Sequence, residues 1–98
     1  MELLFNEQDV VDSVCVFTGI RENARPEQVD VDLEFHPSHG FAATADLYGR
    51  KIRYNEQDVI DAIAVYLRDY HQFIPEDLQV DLSFSEGVGI TASIKVRN

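Results

Sequence analysis

This chain has little of what specialised chemistry usually draws on. One cysteine, Cys15, stands among 98 residues, which excludes an internal disulfide and fits a reducing compartment. Only five glycines are present, and none are spaced as G-x-G-x-x-G or G-x-x-x-x-G-K, so no phosphate-cradling loop is expected. None of the serines (Ser13, Ser38, Ser83, Ser85, Ser93) sits in a Gly-x-Ser-x-Gly elbow, the turn that exposes a nucleophile. Positive charge is scarce as well: 8 bases face 18 acids, a net charge of -10. A phosphate backbone needs a basic footprint, and so does an anionic membrane surface, so neither partner is expected. The longest apolar run, Ala62–Leu67, has six residues, against about 20 needed to span a bilayer. The opening residues carry no basic stretch, so no secretory signal is predicted and a cytoplasmic location is. A hydrophobic fraction of 45% and a mean hydropathy of -0.19 fit an ordinary globular chain.

What the chain does have is an internal repeat. Shifted by 49 residues it falls on itself without a gap. Phe5-Asn-Glu-Gln-Asp-Val-Val-Asp12 lies on Tyr54-Asn-Glu-Gln-Asp-Val-Ile-Asp61, and Pro26–Phe35 lies on Pro75–Phe84. Identity holds at 15 of the 49 pairs. Halves of this size are marginal alone, so one domain is expected over 1–98, built from homologous halves 1–49 and 50–98 around a shared core.

Both halves carry the same local signals. Asn6 and Asn55 read as helix N-caps, with Asp9 and Asp58 completing a capping box and Glu7 and Glu56 favoured by the helix dipole. Val10, Val11, Val14, Cys15 and Phe17 have helical spacing. So do Val59, Ile60, Ile63, Ala64, Leu67 and Tyr70. After Pro26 and Pro75 the period changes to two. Val31, Leu33 and Phe35 oppose Asp30, Asp32 and Glu34, as Val80, Leu82 and Phe84 oppose Gln79, Asp81 and Ser83. Five-residue turns (His36–Gly40, Ser85–Gly89) lead to return strands whose apolar sets are Phe41, Ala43, Ala45, Leu47 and Ile90, Ala92, Ile94, Val96. A tight hairpin around Gly49-Arg50 implies short strands at Glu2–Phe5 and Ile52–Tyr54. The predicted fold is α+β and two-layered. Tandem β-α-β-β units place two helices on one face of a mostly antiparallel sheet, with pseudo-twofold symmetry.

At its two Asn-Glu-Gln-Asp-Val segments and two Pro-Glu-x-x-x-Val-Asp-Leu-x-Phe segments, the chain resembles the small YxcD-type bacterial proteins. That resemblance spans essentially the whole sequence. It implies a bacterial cytosolic protein, and because the family has no assigned function it brings no activity, cofactor or catalytic residue.

The residues themselves offer few chemical constellations. Glu7, Asp9, Glu56 and Asp58 form two carboxylate pairs, but capping explains each of them. Cys15 has no base within a helical turn and aligns with Ala64, so a packing role is predicted over a nucleophilic one. His36 and His39 form the only H-x-x-H. With Asp32 or Glu34 they are the candidates for a metal site, though they stand on a turn whose counterpart holds Ser85 and Val88. His71 reads as a surface residue at a helix C-terminus.

Charge is the least symmetric feature. Residues 1–49 carry ten acids and two bases; residues 50–98 carry eight and six. Asp30, Asp32, Glu34 and Asp46 stand where the second half has Gln79, Asp81, Ser83 and Lys95. If Phe35 faces Phe41, Asp30 faces Asp46 across the strands, and a two-residue shift of register puts Asp32 there instead. Either way two carboxylates meet, a repulsion that Asp46→Lys should relieve. This face is the predicted partner surface. The reading taken is therefore a non-enzymatic binding or regulatory module using the acidic sheet face or a sheet edge, with no cofactor. The alternative is a small metal-dependent protein or enzyme built on the His36/His39 turn. A homodimer through an edge strand is compatible with either.

Overall fold

The capping signals form helices where they stand. The structure, a computed structural model, describes residues 1–97. Asn6 accepts the Asp9 amide at 2.8 Å while the Asp9 carboxylate accepts the Asn6 amide at 3.0 Å, starting α1 (Glu7–Glu22). Asn55 and Asp58 repeat the box with the same distances, starting α2 (Glu56–His71). Each helix ends on a residue of positive φ, Asn23 (55°) and Gln72 (62°), whose backbone N–H donates to the Gly19 and Arg68 carbonyls respectively, satisfying helix carbonyls that would otherwise be orphaned. One 3-10 turn follows each, with Pro26 and Pro75 at its start.

Among the described residues are six strands: β1 (Glu2–Phe5), β2 (Val29–His36), β3 (Gly40–Leu47), β4 (Arg50–Tyr54), β5 (Leu78–Ser85) and β6 (Gly89–Val96). The β-α-β-β unit is used twice, and the fold is α+β. Hydrogen bonding divides the expected sheet into two three-stranded antiparallel ladders, β2-β3-β4 and β1-β6-β5. Each ladder takes its hairpin from one repeat and its third strand from the other. The reason is the turn between β3 and β4. Its tip is Tyr48-Gly49, not Gly49-Arg50, and both residues have positive φ (55° and 85°), the two-residue geometry that forces adjacent antiparallel strands. β1 takes the equivalent place on β6, where the Val96 amide also bonds the Met1 carbonyl at 2.8 Å.

The register is the one in which Phe35 faces Phe41 and Phe84 faces Ile90. The hairpin loops are three residues long, shorter than expected, because His36 still pairs with Gly40 and Ser85 with Gly89. Helices α1 and α2 pack on each other, α1 against β2 and β6, and α2 against β3 and β5. Val10, Val14, Val59, Ile63 and Leu67 from the helices meet Ala43, Ala45, Ala92 and Ile94 from the central strands. Small strand residues there leave room for the branched helix side chains. Tyr70, placed by its spacing on the buried stripe, is 56% exposed.

Candidate functional site

Every residue of the doubled Asn-Glu-Gln-Asp motif has a structural occupation. Beyond the capping boxes, Gln8 donates to Asp12 and Gln57 to Asp61 one turn on. Glu7 and Glu56 do more than complement a dipole. Glu56 accepts the Phe41 amide at 3.1 Å, and Glu7 accepts the Ile90 amide at 2.8 Å, so each helix start is latched to the hairpin of the other repeat. Gly40 (φ 78°) and Gly89 (φ 94°) sit beneath these carboxylates, and a Cβ at either would collide with the glutamate. Positive φ favours glycine there, and any side chain would also displace the carboxylate from its bond.

The remaining candidates are placed as follows. The Cys15 thiol is half-buried and donates to the Val29 carbonyl at 3.4 Å. Burial, with Asp12 and Asp30 nearby, pushes it up from 9.0 to about 11, so the nucleophilic thiolate is suppressed at neutral pH. His36 and His39 stack with ring centroids 4.8 Å apart, and His36 Nδ1 accepts the Ser38 amide at 3.2 Å. No group of three His, Cys, Asp or Glu side chains suited to a metal ion occurs among the described residues. Glu34, the proposed neighbour, is instead gripped by Arg53 through bonds of 2.6 and 3.0 Å, which hold its carboxyl below the usual range. Ser13 is buried and bonds the Asp9 carbonyl. His71 lies beside the Tyr66 ring.

On the open face Asp30 does face Asp46, and Gln79 faces Lys95. The third strand changes what this means. Asp46 also faces Lys51 on β4, with an ion pair of 3.5 Å, and accepts the Gly49 amide at 2.8 Å. Lys95 faces Glu2 on β1. Position by position the two repeats hold the same cross-strand pair with its signs exchanged. Three of the six bases of the second half, Arg50, Lys51 and Arg53, lie on the first half's ladder. Counted over strand residues, the β2-β3-β4 ladder has four acids and three bases, and the other has two acids (Glu2, Asp81) and one base (Lys95). Each is net -1. The asymmetry between sequence halves therefore vanishes between ladders.

Negative charge left without a facing base gathers instead along β2, the outer strand of its ladder. A groove of about 650 Å³ runs between α1, the outer edge of β2 and the end of α2. Asp12, Glu27 and Asp30 line it together with Val31, Tyr66 and Tyr70, and among the described residues no lysine or arginine does. Tyr66 and Tyr70 stack with centroids 5.0 Å apart and planes 13° from parallel. Burial and the Asp12 and Asp9 charges raise the Tyr66 hydroxyl above its ordinary value, so the ring stays neutral.

Comparison with known proteins adds a family. The family described as "Protein of unknown function (DUF2653)" matches residues 1–54 and, a second time, residues 49–98. The chain belongs to this family. The two DUF2653 matches overlap at 49–54, the turn and strand that join one repeat to the other's ladder. "Uncharacterized protein YxcD" of Bacillus subtilis (strain 168) is 41% identical over 46 residues, which is 46% of this chain and 45% of that protein. The chain thus aligns with about half the length of that relative. No solved structure matches.

For this DUF2653 protein, Asp30 is the one predicted partner-surface residue that lines the groove; Glu34 and Asp46 are engaged by β4, and Asp32 faces Thr44. The groove itself escaped the sequence reading. Its one linear signal is the Tyr66/Tyr70 spacing, which reads equally well as core.

Proposed function

We propose that the protein is a non-enzymatic binding or regulatory module of the bacterial cytosol, with its recognition site in the groove along β2. One observation carries this reading: an edge strand, whose outer backbone groups can pair with another chain, borders a concavity lined by three carboxylates and no base. A protein partner fits this charge better than a nucleic acid does. No helix among the described residues is long and apolar enough to cross a membrane. The His36/His39 turn supplies two ligands at most, and nothing favours it as a metal centre.

The test is affinity capture from native lysate with the parent and with Glu27→Lys/Asp30→Lys, both exposed changes that leave the core untouched. A protein retained by the parent and released by the variant, at a thermal stability no lower than the parent's, is the expected result. Identical captured sets would refute a site in this groove.

A further inference from the structure

The chemical class of the partner can be drawn from the repeat itself, on the understanding that the groove is the recognition site. Under the 49-residue shift, Phe17 corresponds to Tyr66, Tyr54 to Phe5, and Arg21 to Tyr70. The aromatic pairs are built alike: Phe17 meets Tyr54 edge-on at 5.6 Å, and Phe5 meets Tyr66 edge-on at 6.0 Å. What covers them differs. In one repeat the Arg21 guanidinium lies 5.1 Å from the Phe17 centroid and 5.9 Å from that of Tyr54. In the other, Tyr70 stacks on Tyr66 in that place and is more than half exposed, and the groove it lines is lined also by Asp12, Glu27 and Asp30. One side of the molecule supplies its own cation to an aromatic wall. The other presents aromatic rings and carboxylates, with no lysine or arginine among the described residues that line the groove.

Backbone geometry adds direction. Among the described residues β2 pairs only with β3. Val29 turns its carbonyl outward to the Cys15 thiol and its amide to the Pro26 carbonyl. Backbone direction alternates along a strand, so Val31 turns its N–H and C=O to the same outer edge. A volume of about 650 Å³ lies within the roughly 300–1,000 Å³ that ligand sites occupy.

We propose that the groove binds an extended, arginine-bearing peptide segment, which adds along the outer edge of β2 from Val31 and lays its guanidinium on Tyr70 beside Asp12 and Asp30. Arginine is favoured over lysine because its planar head stacks on an aromatic face and is more weakly hydrated.

Three synthetic probes decide this by NMR titration at low salt: acetyl-Thr-Val-Arg-Val-Thr-amide and its forms with Lys or Glu in place of Arg. The arginine peptide should move the Val31 amide and the Tyr66 and Tyr70 ring signals. Affinity should fall about threefold for the lysine form and for Tyr70→Ala, the scale of a cation–π contact. It should fall further for Asp12→Asn/Asp30→Asn and on raising salt. Perturbation confined to other surfaces, no response to the arginine peptide, or equal binding of the glutamate form would overturn the assignment. The capture experiment separates the two failures. If charge reversal still releases a native partner while the arginine peptide leaves the groove unmoved, the groove stands as the site and the arginine class falls.

Discussion

Thr18 and Tyr54 show how one repeat was adjusted residue by residue. Thr18 is fully buried and Tyr54 is 3% exposed, and their hydroxyls bond at 2.8 Å. One repeat away the same positions hold Leu67 and Phe5, an apolar pair that needs no bond. Two hydroxyls in the core are tolerable because each satisfies the other; among the described residues no buried side-chain polar atom lacks a partner. Tyr54→Phe should therefore cost about 1–2 kcal/mol, the penalty for stranding the Thr18 hydroxyl. Adding Thr18→Val should recover most of it. Urea melts of the two single variants and the double close the cycle, and additive losses would show that the hydroxyls are not coupled.

At the scale of elements, the third strand of each ladder decides what a charge is worth. Asp46 stands between Asp30 and Lys51. Asp46→Lys exchanges one repulsion for an attraction on the β2 side and does the reverse on the β4 side. These changes cancel, and the bond to the Gly49 amide is lost. The variant should be less stable than the parent by about 0.5–1 kcal/mol, opposite to what the hairpin alone suggests. With Lys51→Glu added, positions 46 and 51 copy the Lys95–Glu2 pair of the second ladder, and the double variant should gain about 0.5–1 kcal/mol over the single variant. Melts at low and high salt check both steps; a single variant more stable than the parent would mean that Lys51 is not engaged.

The whole molecule is held by strand exchange. β4 completes the first repeat's ladder, β1 completes the second's, and Glu7 and Glu56 latch each helix to the opposite hairpin. We propose on this basis that residues 1–49 and 50–98 form one folding unit. Each half alone would lose a strand, a latch and the facing helix, leaving an apolar face that a chain of about 50 residues cannot cover. Circular dichroism of either isolated half should show no cooperative thermal transition, whereas the intact chain should show one. A sharp melt from a monomeric half would end this account.

Local signals were readable in the chain because they act within a few residues. Both capping boxes, the change of period after Pro26 and Pro75, and the repeat itself were legible. So was the meeting of two carboxylates across β2 and β3, since one buried face fixes the parity of the register; the structure chose Asp30 over Asp32 as the residue facing Asp46. The packing role of Cys15 followed from its neighbours along the helix. Tertiary structure alone decided the rest. The β3–β4 hairpin was legible, its tip read one residue too late, but the pairing of β1 with β6 and the division into two ladders were not, and together these turn an apparent charge asymmetry into two balanced ladders. Glu7 and Glu56 reach hairpins 83 and 15 residues away in the chain, beyond any local pattern. The groove exists only because α1, β2 and the end of α2 converge, bringing Asp12, Asp30 and Tyr70 to one surface from three separate segments.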